Sequence, residues 1–254
     1  MNAFKGLLRK DIKISIGYFY TIMIFMVIAF AAGWIFSNYY DTRMLVGVIS
    51  FALIIAHVIY LPGSLLTSLN MEGKTQLWLH NPQSSAKLLL SKLTACSLLS
   101  MCSTILITII TIISIASLAE FNEMFSTGDI VMIAVAIWVL SFYISIWVLF
   151  YWTVYHSIAR VQALKKLRWL VLIAIWYLWE MLTGLFGKIS FVQALKDKWM
   201  LNIGNVFHME TGANSFQASF EMMDISIFAL AGYCLTAILL FWLSSWALDK
   251  KVEV

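Results

Sequence analysis

Six long apolar runs, separated by short polar stretches, set the pattern of this 254-residue chain. They cover 16–36, 44–66, 93–118, 130–155, 169–186 and 225–248. Each is close to or beyond the ~20 residues that a helix needs to cross the hydrocarbon of a bilayer. An unpaired backbone group in lipid costs several kcal/mol, so each run is expected as a helix. Ahead of the first run, residues 2–15 read NAFKGLLRKDIKIS. On a helical wheel Phe4, Leu7, Leu8, Ile12 and Ile14 share one side, and Lys5, Arg9, Lys10 and Lys13 take the other. That pattern predicts an amphipathic interfacial helix over 1–15. Asp11 falls inside the apolar arc, where it either meets a partner protein or pairs with a nearby cation.

The polar stretch MEGKTQLWLHNPQSSAKLLLSK, residues 71–92, carries most of the remaining information. Residues 67–79 can continue the second span as a helix that tolerates Gly73 at some cost. Pro82 biases Asn81 away from helix and removes a donor. Ser84 or Ser85 can cap a new helix leading into the third span. The expected result is a helical elbow over 67–92, with Leu77, Trp78 and Leu79 carried into water as an apolar knob suited to docking. Gly73-Lys74-Thr75 resembles the end of a nucleotide-binding loop. That loop needs another glycine at position 68, which is Ser68, and a preceding strand, where this chain has an apolar helix. Another long polar segment, 188–224, is expected to hold short interfacial helices, with Phe191, Ala194, Leu195 and Trp199 at helical spacing and a turn at 211–214.

Composition agrees with a bilayer as solvent. The chain is 62% hydrophobic, where a soluble domain is roughly half apolar. Lysine and arginine set the orientation. Lys5, Arg9, Lys10, Lys13, Lys74, Lys87, Lys92, Arg160, Lys165, Lys166, Arg168, Lys250 and Lys251 fall on one side, against Arg43, Lys188, Lys196 and Lys198 on the other. Both termini are therefore expected in the cytoplasm, with the basic face toward anionic lipid and no nucleic acid as partner.

Within the spans, Glu180 and His57 are the ionisable residues to explain. An intramembrane acid is a functional hypothesis by default, so Glu180, with the neighbouring Trp176 and Trp179, is a candidate for a translocation path. His57 is a weaker one, since a buried histidine usually serves packing. Cys96, Cys102 and Cys234 lie in apolar runs with no ligand spacing, and the four histidines are scattered, so no metal site is expected.

Glu72, Lys74, Thr75, Gln76, Leu77, Leu79, Pro82 and Ser84, followed by Lys87 and Leu88-Leu89-Leu90-Ser91-Lys92, resemble the first cytoplasmic loop of ABC-2 type permeases, the membrane subunits of ABC exporters. Leu7-Leu8-Arg9-Lys10-Asp11 is similar to the basic connecting helix that opens that family. The resemblance implies one all-α integral membrane domain over 1–254, of the six-helix type V exporter kind. It also implies a cytoplasmic coupling helix docking a separate ABC ATPase through Glu72, Lys74, Leu77, Trp78, His80 and Pro82, with smaller contacts from Asp11 and Arg160. On that reading the chain sits in the plasma membrane of a bacterial cell and is no enzyme. It binds no cofactor, ATP and magnesium belong to the partner ATPase, and a second permease copy or a paralogue completes the path. The chain also looks like staphylococcal-type exporters of phenol-soluble modulins, which implies amphipathic or hydrophobic peptides as cargo. Two other readings stand beside it: an ion- or proton-coupled secondary transporter using Glu180, and an intramembrane enzyme.

Overall fold

The computed structural model describes residues 3–41, 44–75, 83–116, 126–158, 165–212 and 215–251. Among them are six helices long and apolar enough to cross a bilayer, and the chain is a multi-pass membrane protein. Helix α1 spans Ala3–Tyr39. Helices α2 (Met44–Ala56) and α3 (Tyr60–Thr75) are joined by a 3₁₀ turn, His57–Ile59, into the second span. Helices α4 (Ser85–Ala116) and α5 (Thr127–Ile158) form the third and fourth. Helix α6 (Arg168–Gly187) is the fifth, a short α7 (Ser190–Lys198) follows, and α8 (Ile227–Lys251) is the sixth.

The chain divides into two compact units, Met1–Ser157 with Leu240–Val254, and Ile158–Leu239. In the first, α1 packs along α2, α3 and α4, and the buried side chains of α1 recur every four residues at Leu7, Asp11 and Ser15. The amphipathic segment is thus no separate interfacial helix but the first turns of α1. No proline or paired glycine interrupts the sequence around Ser15, so the helix runs on. At about 1.5 Å per residue its 37 residues reach about 55 Å, well beyond a hydrocarbon core of about 30 Å. In its amphipathic first turns Leu7 is buried against protein, and Phe4, Leu8, Ile12 and Ile14 are half-buried.

The second span changes geometry at His57–Ile59 for a local reason. Pro62 has no backbone N–H to give the carbonyl of Val58, and the chain tightens into a 3₁₀ turn just ahead of it. Helix α5 starts at a reciprocal cap. The Asp129 carboxylate accepts from Ser126 N (2.9 Å) and Ser126 Oγ (2.7 Å), and Ser126 Oγ accepts from Asp129 N (3.2 Å).

In the second unit, a short helix stands where Phe191, Ala194 and Leu195 recur at helical spacing, as α7. The rest of segment 188–224 departs from an all-α fold. Strands β1 (Met200–Gly212) and β2 (Ser215–Ser226) pair antiparallel, with Gly212 opposite Ser215, Phe207 opposite Phe220 and a register shift between Asn202 and Asn205. Positions 213 and 214 of the predicted turn lie outside the described residues. The physical reason for the strands lies in composition: Ile203, Val206, Phe207 and Thr211 favour extended backbone, and the stretch has no helical apolar period.

Candidate functional site

The first unit holds a buried charge cluster where α1, α3 and α4 meet. Lys92 of α4 is 1% exposed, Asp11 of α1 is 1% and Glu72 of α3 is 3%. Lys92 Nζ lies 3.1 Å from Asp11 Oδ1, 2.8 Å from Glu72 Oε2 and 3.4 Å from Ser68 Oγ, so its three donors meet three acceptors. Lys10 Nζ sits 2.6 Å from Glu72 Oε1 and 3.6 Å from Asp11 Oδ1. Ser91 Oγ donates to Asp11 Oδ2 at 2.5 Å. Two carboxylates and two ammoniums thus balance in charge and join three helices. Such a set persists out of water only because its members satisfy one another.

Helix α3 ends on this cluster, and two further contacts hold the same end. Trp152 Nε1 of α5 donates to Asn70 Oδ1 at 2.8 Å. The Trp152 ring lies over Gly73, where a Cβ would meet Cζ2 at 3.2 Å. A glycine here permits that close approach, which gives Gly73 a packing role. The His156 ring lies tilted against Trp152, with ring centroids 4.2 Å apart. At the start of α4, the backbone N–H of Ser85 donates to Asp249 Oδ1 at 3.3 Å, and Ser85 Oγ donates to the same oxygen. An acid from α8 therefore caps the first turn of α4, a form of N-capping that joins two helices.

The candidate docking residues divide sharply. Asp11 and Glu72 are buried in ion pairs, so neither carboxylate is presented to a partner at the chain surface. The reason is the packing of α1 on α3 and α4, which turns Asp11 inward to Lys92. The alternative of pairing with a nearby cation holds for Asp11. Lys74 lies in the last turn of α3, and its side chain is outside the described set. Leu77, Trp78, His80, Pro82 and Arg160 also lie outside the described residues.

The path candidates fall in different units. His57 belongs to the first, where Leu53 O lies 2.7 Å from Nδ1 and Ser103 Oγ 2.9 Å from Nε2. Trp176, Trp179 and Glu180 belong to the second and lie on α6, where Trp176 and Glu180 are exposed. Among the described residues no group of three His, Cys, Asp or Glu could hold a metal ion.

Sequence reasoning missed Lys92, Lys10, Ser68, Ser91 and Asn70 as site residues. Lys92 carried a signal: it is the last cation before the third apolar run and sits on the face of α4 that continues through Cys96, Ser100 and Ser103.

No protein-family profile and no solved structure matches the chain. It is 26% identical over 264 aligned positions to a Bacillus subtilis (strain 168) protein described as uncharacterized protein YhcE, an alignment that covers both chains in full.

Proposed function

We infer that this chain is the transmembrane subunit of an ATP-driven exporter of the ABC-2 type. It sits in the plasma membrane with both termini in the cytoplasm and docks a separate ABC ATPase through segment 67–92. The observation that carries the reading is the clamp at the base of the elbow. Lys10 and Lys92 grip Glu72, Trp152 grips Asn70 and Gly73, and Asp249 caps Ser85. A docking segment transmits work only if its roots are stiff, because a loose joint spends displacement on local motion. Here every root is fixed to a different helix: α1, α5 and α8.

On this reading Leu77, Trp78, His80 and Pro82 form the knob that enters the ATPase, with Lys74 and Arg160 at its margin. Glu72 and Asp11 stiffen the joint from inside. ATP and magnesium bind the partner, and ATP-driven closure of two ATPases moves two elbows, one from each permease copy or from a paralogue. A path of ring-rich helices, with Trp176, Trp179 and Glu180 on α6, suits amphipathic or hydrophobic peptides as cargo.

The test is a search of the neighbouring reading frames for an ABC ATPase and its co-purification with the chain, together with thiol labelling of Trp78→Cys in right-side-out and inverted vesicles. We expect Trp78→Cys to label only from the cytoplasmic face and to be protected by the ATPase, and Trp78→Ala to weaken the complex at least tenfold. Labelling from outside would end the proposal.

A further inference from the structure

Polar side chains fasten α1, α3 and α4 to one another in layers, one helical turn apart. The first layer belongs to the charge cluster, where Lys92 donates to Asp11 and Ser68. The second sets Ser15 Oγ and Ser64 Oγ each 3.5 Å from Cys96 Sγ. Between these layers α1 and α4 advance four residues and α3 steps back four, because α3 runs antiparallel to both. The same step along α3 and α4 arrives at Tyr60 and Ser100. On α1 the matching side chain is Tyr18. Its ring meets that of Tyr60 edge-on, with centroids 5.5 Å apart. A Cβ on Gly63 would meet the Tyr18 hydroxyl at 2.5 Å, so that hydroxyl lies against α3.

This third layer brings together three hydroxyls from three helices. Tyr60 and Ser100 are 3% and 1% exposed, and neither the Tyr60 hydroxyl nor Ser100 Oγ has a hydrogen-bond partner in the protein. The Tyr60 hydroxyl is within electrostatic reach of the Cys96 and Cys102 thiols, which flank Ser100 on α4. A buried hydroxyl left unpaired is costly, and the two layers below show that polar groups on this seam are bonded across helices. A cavity of about 150 Å³ lies against the layer, with Tyr18, His57 and Tyr60 in its wall. Buried water needs a polar site with room for it and makes about three hydrogen bonds there. Each hydroxyl of the layer can donate or accept.

We propose that a water molecule is bound in this layer, bridging the Tyr60 hydroxyl and Ser100 Oγ, with the Tyr18 hydroxyl as its third partner. The site lies about 12 Å further along α4 than Lys92, at 1.5 Å per residue, and so inside the span. The water does for this layer what the thiol and the ion pairs do for the two below it: it joins α3 to α4 and α1. One turn further on, Ser103 Oγ lies 2.9 Å from His57 Nε2. The column of polar contacts then continues from the charge cluster to the interruption of the second span. The site rests on the packing of the first unit and is independent of the exporter reading.

Water-edited solid-state NMR tests it, on the full chain with ¹³C-labelled tyrosine in phosphatidylethanolamine–phosphatidylglycerol bilayers. The Tyr60 signal is identified by its loss in Tyr60→Phe. Magnetisation should pass from water to the Tyr60 ring at a rate comparable to that for the exposed Tyr39, and several-fold more slowly in Ser100→Ala. Tyr60→Phe and Ser100→Ala should each lower Tm, and the double variant should fall no further than the larger single one, since both loosen the same water. The site is overturned if no magnetisation reaches the Tyr60 ring from water, whatever the variants do to Tm. An unchanged rate in Ser100→Ala overturns the bridge, because the water then holds without α4. A Tm that stays level or rises in Tyr60→Phe also overturns it, since deleting a hydroxyl with no partner carries no loss.

Discussion

Lys92 Nζ lies 2.8 Å from Glu72 Oε2, with both side chains out of water. Removing one partner of such a pair is far worse than removing both, because the survivor stays buried and uncompensated. We expect Lys92→Met to cost on the order of 3–5 kcal/mol, read as a lowered Tm in detergent. Lys92→Met combined with Asp11→Asn and Glu72→Gln should recover most of that loss. Equal Tm for the single and triple variants would show that the three groups do not act as a unit.

The aromatic side of the joint is weaker. Trp152→Phe keeps a ring over Gly73 but deletes the N–H that Asn70 accepts. A neutral hydrogen bond of this kind contributes about 1 kcal/mol net, so a modest drop in Tm is expected. Asn70→Ala should give a similar drop, and the double variant no more than the larger single one, since both delete the same bond. Additive losses would mean that the two residues contribute separately.

His57 bridges a helical interruption to its neighbour. Ser103→Ala strands one imidazole nitrogen among buried groups, a loss of roughly 1–3 kcal/mol. Replacing both, as His57→Leu with Ser103→Ala, should be milder than Ser103→Ala alone. Thermal unfolding of the three proteins decides it.

The spans were legible in the sequence because lipid demands length and apolarity, and both are local properties. Asp11 was legible as an anomaly, since a wheel shows it inside the apolar arc. Its partner was not, because Lys92 lies eighty-one positions away and no periodicity links the two. Counted as a cation, Lys92 signals orientation like any other; only packing reveals that it points inward. The hairpin of Met200–Gly212 and Ser215–Ser226 escaped for the opposite reason. Extended pairing is specified by residues that are not neighbours, and the helical spacing of Phe191, Ala194, Leu195 and Trp199 ends where α7 does.

Asp249 offers a further check. Its oxygen accepts from both the backbone and the hydroxyl of Ser85. Losing an N-cap costs about 0.5–2 kcal/mol, concentrated in the first turn. Asp249→Ala should raise amide exchange at residues 86–89 while leaving the middle of α4 protected. Unchanged exchange at the first turn would show that Ser84 or water suffices.

That cap also dictates an order of events during synthesis. Ser85 leaves the ribosome more than 160 residues before the acid that completes its helix. Throughout that interval the opening turn of the third span waits without its cap. Only when the final helix threads into the bilayer does the joint close. A nascent chain stalled before that point therefore carries a third span whose first turn lacks its acidic cap.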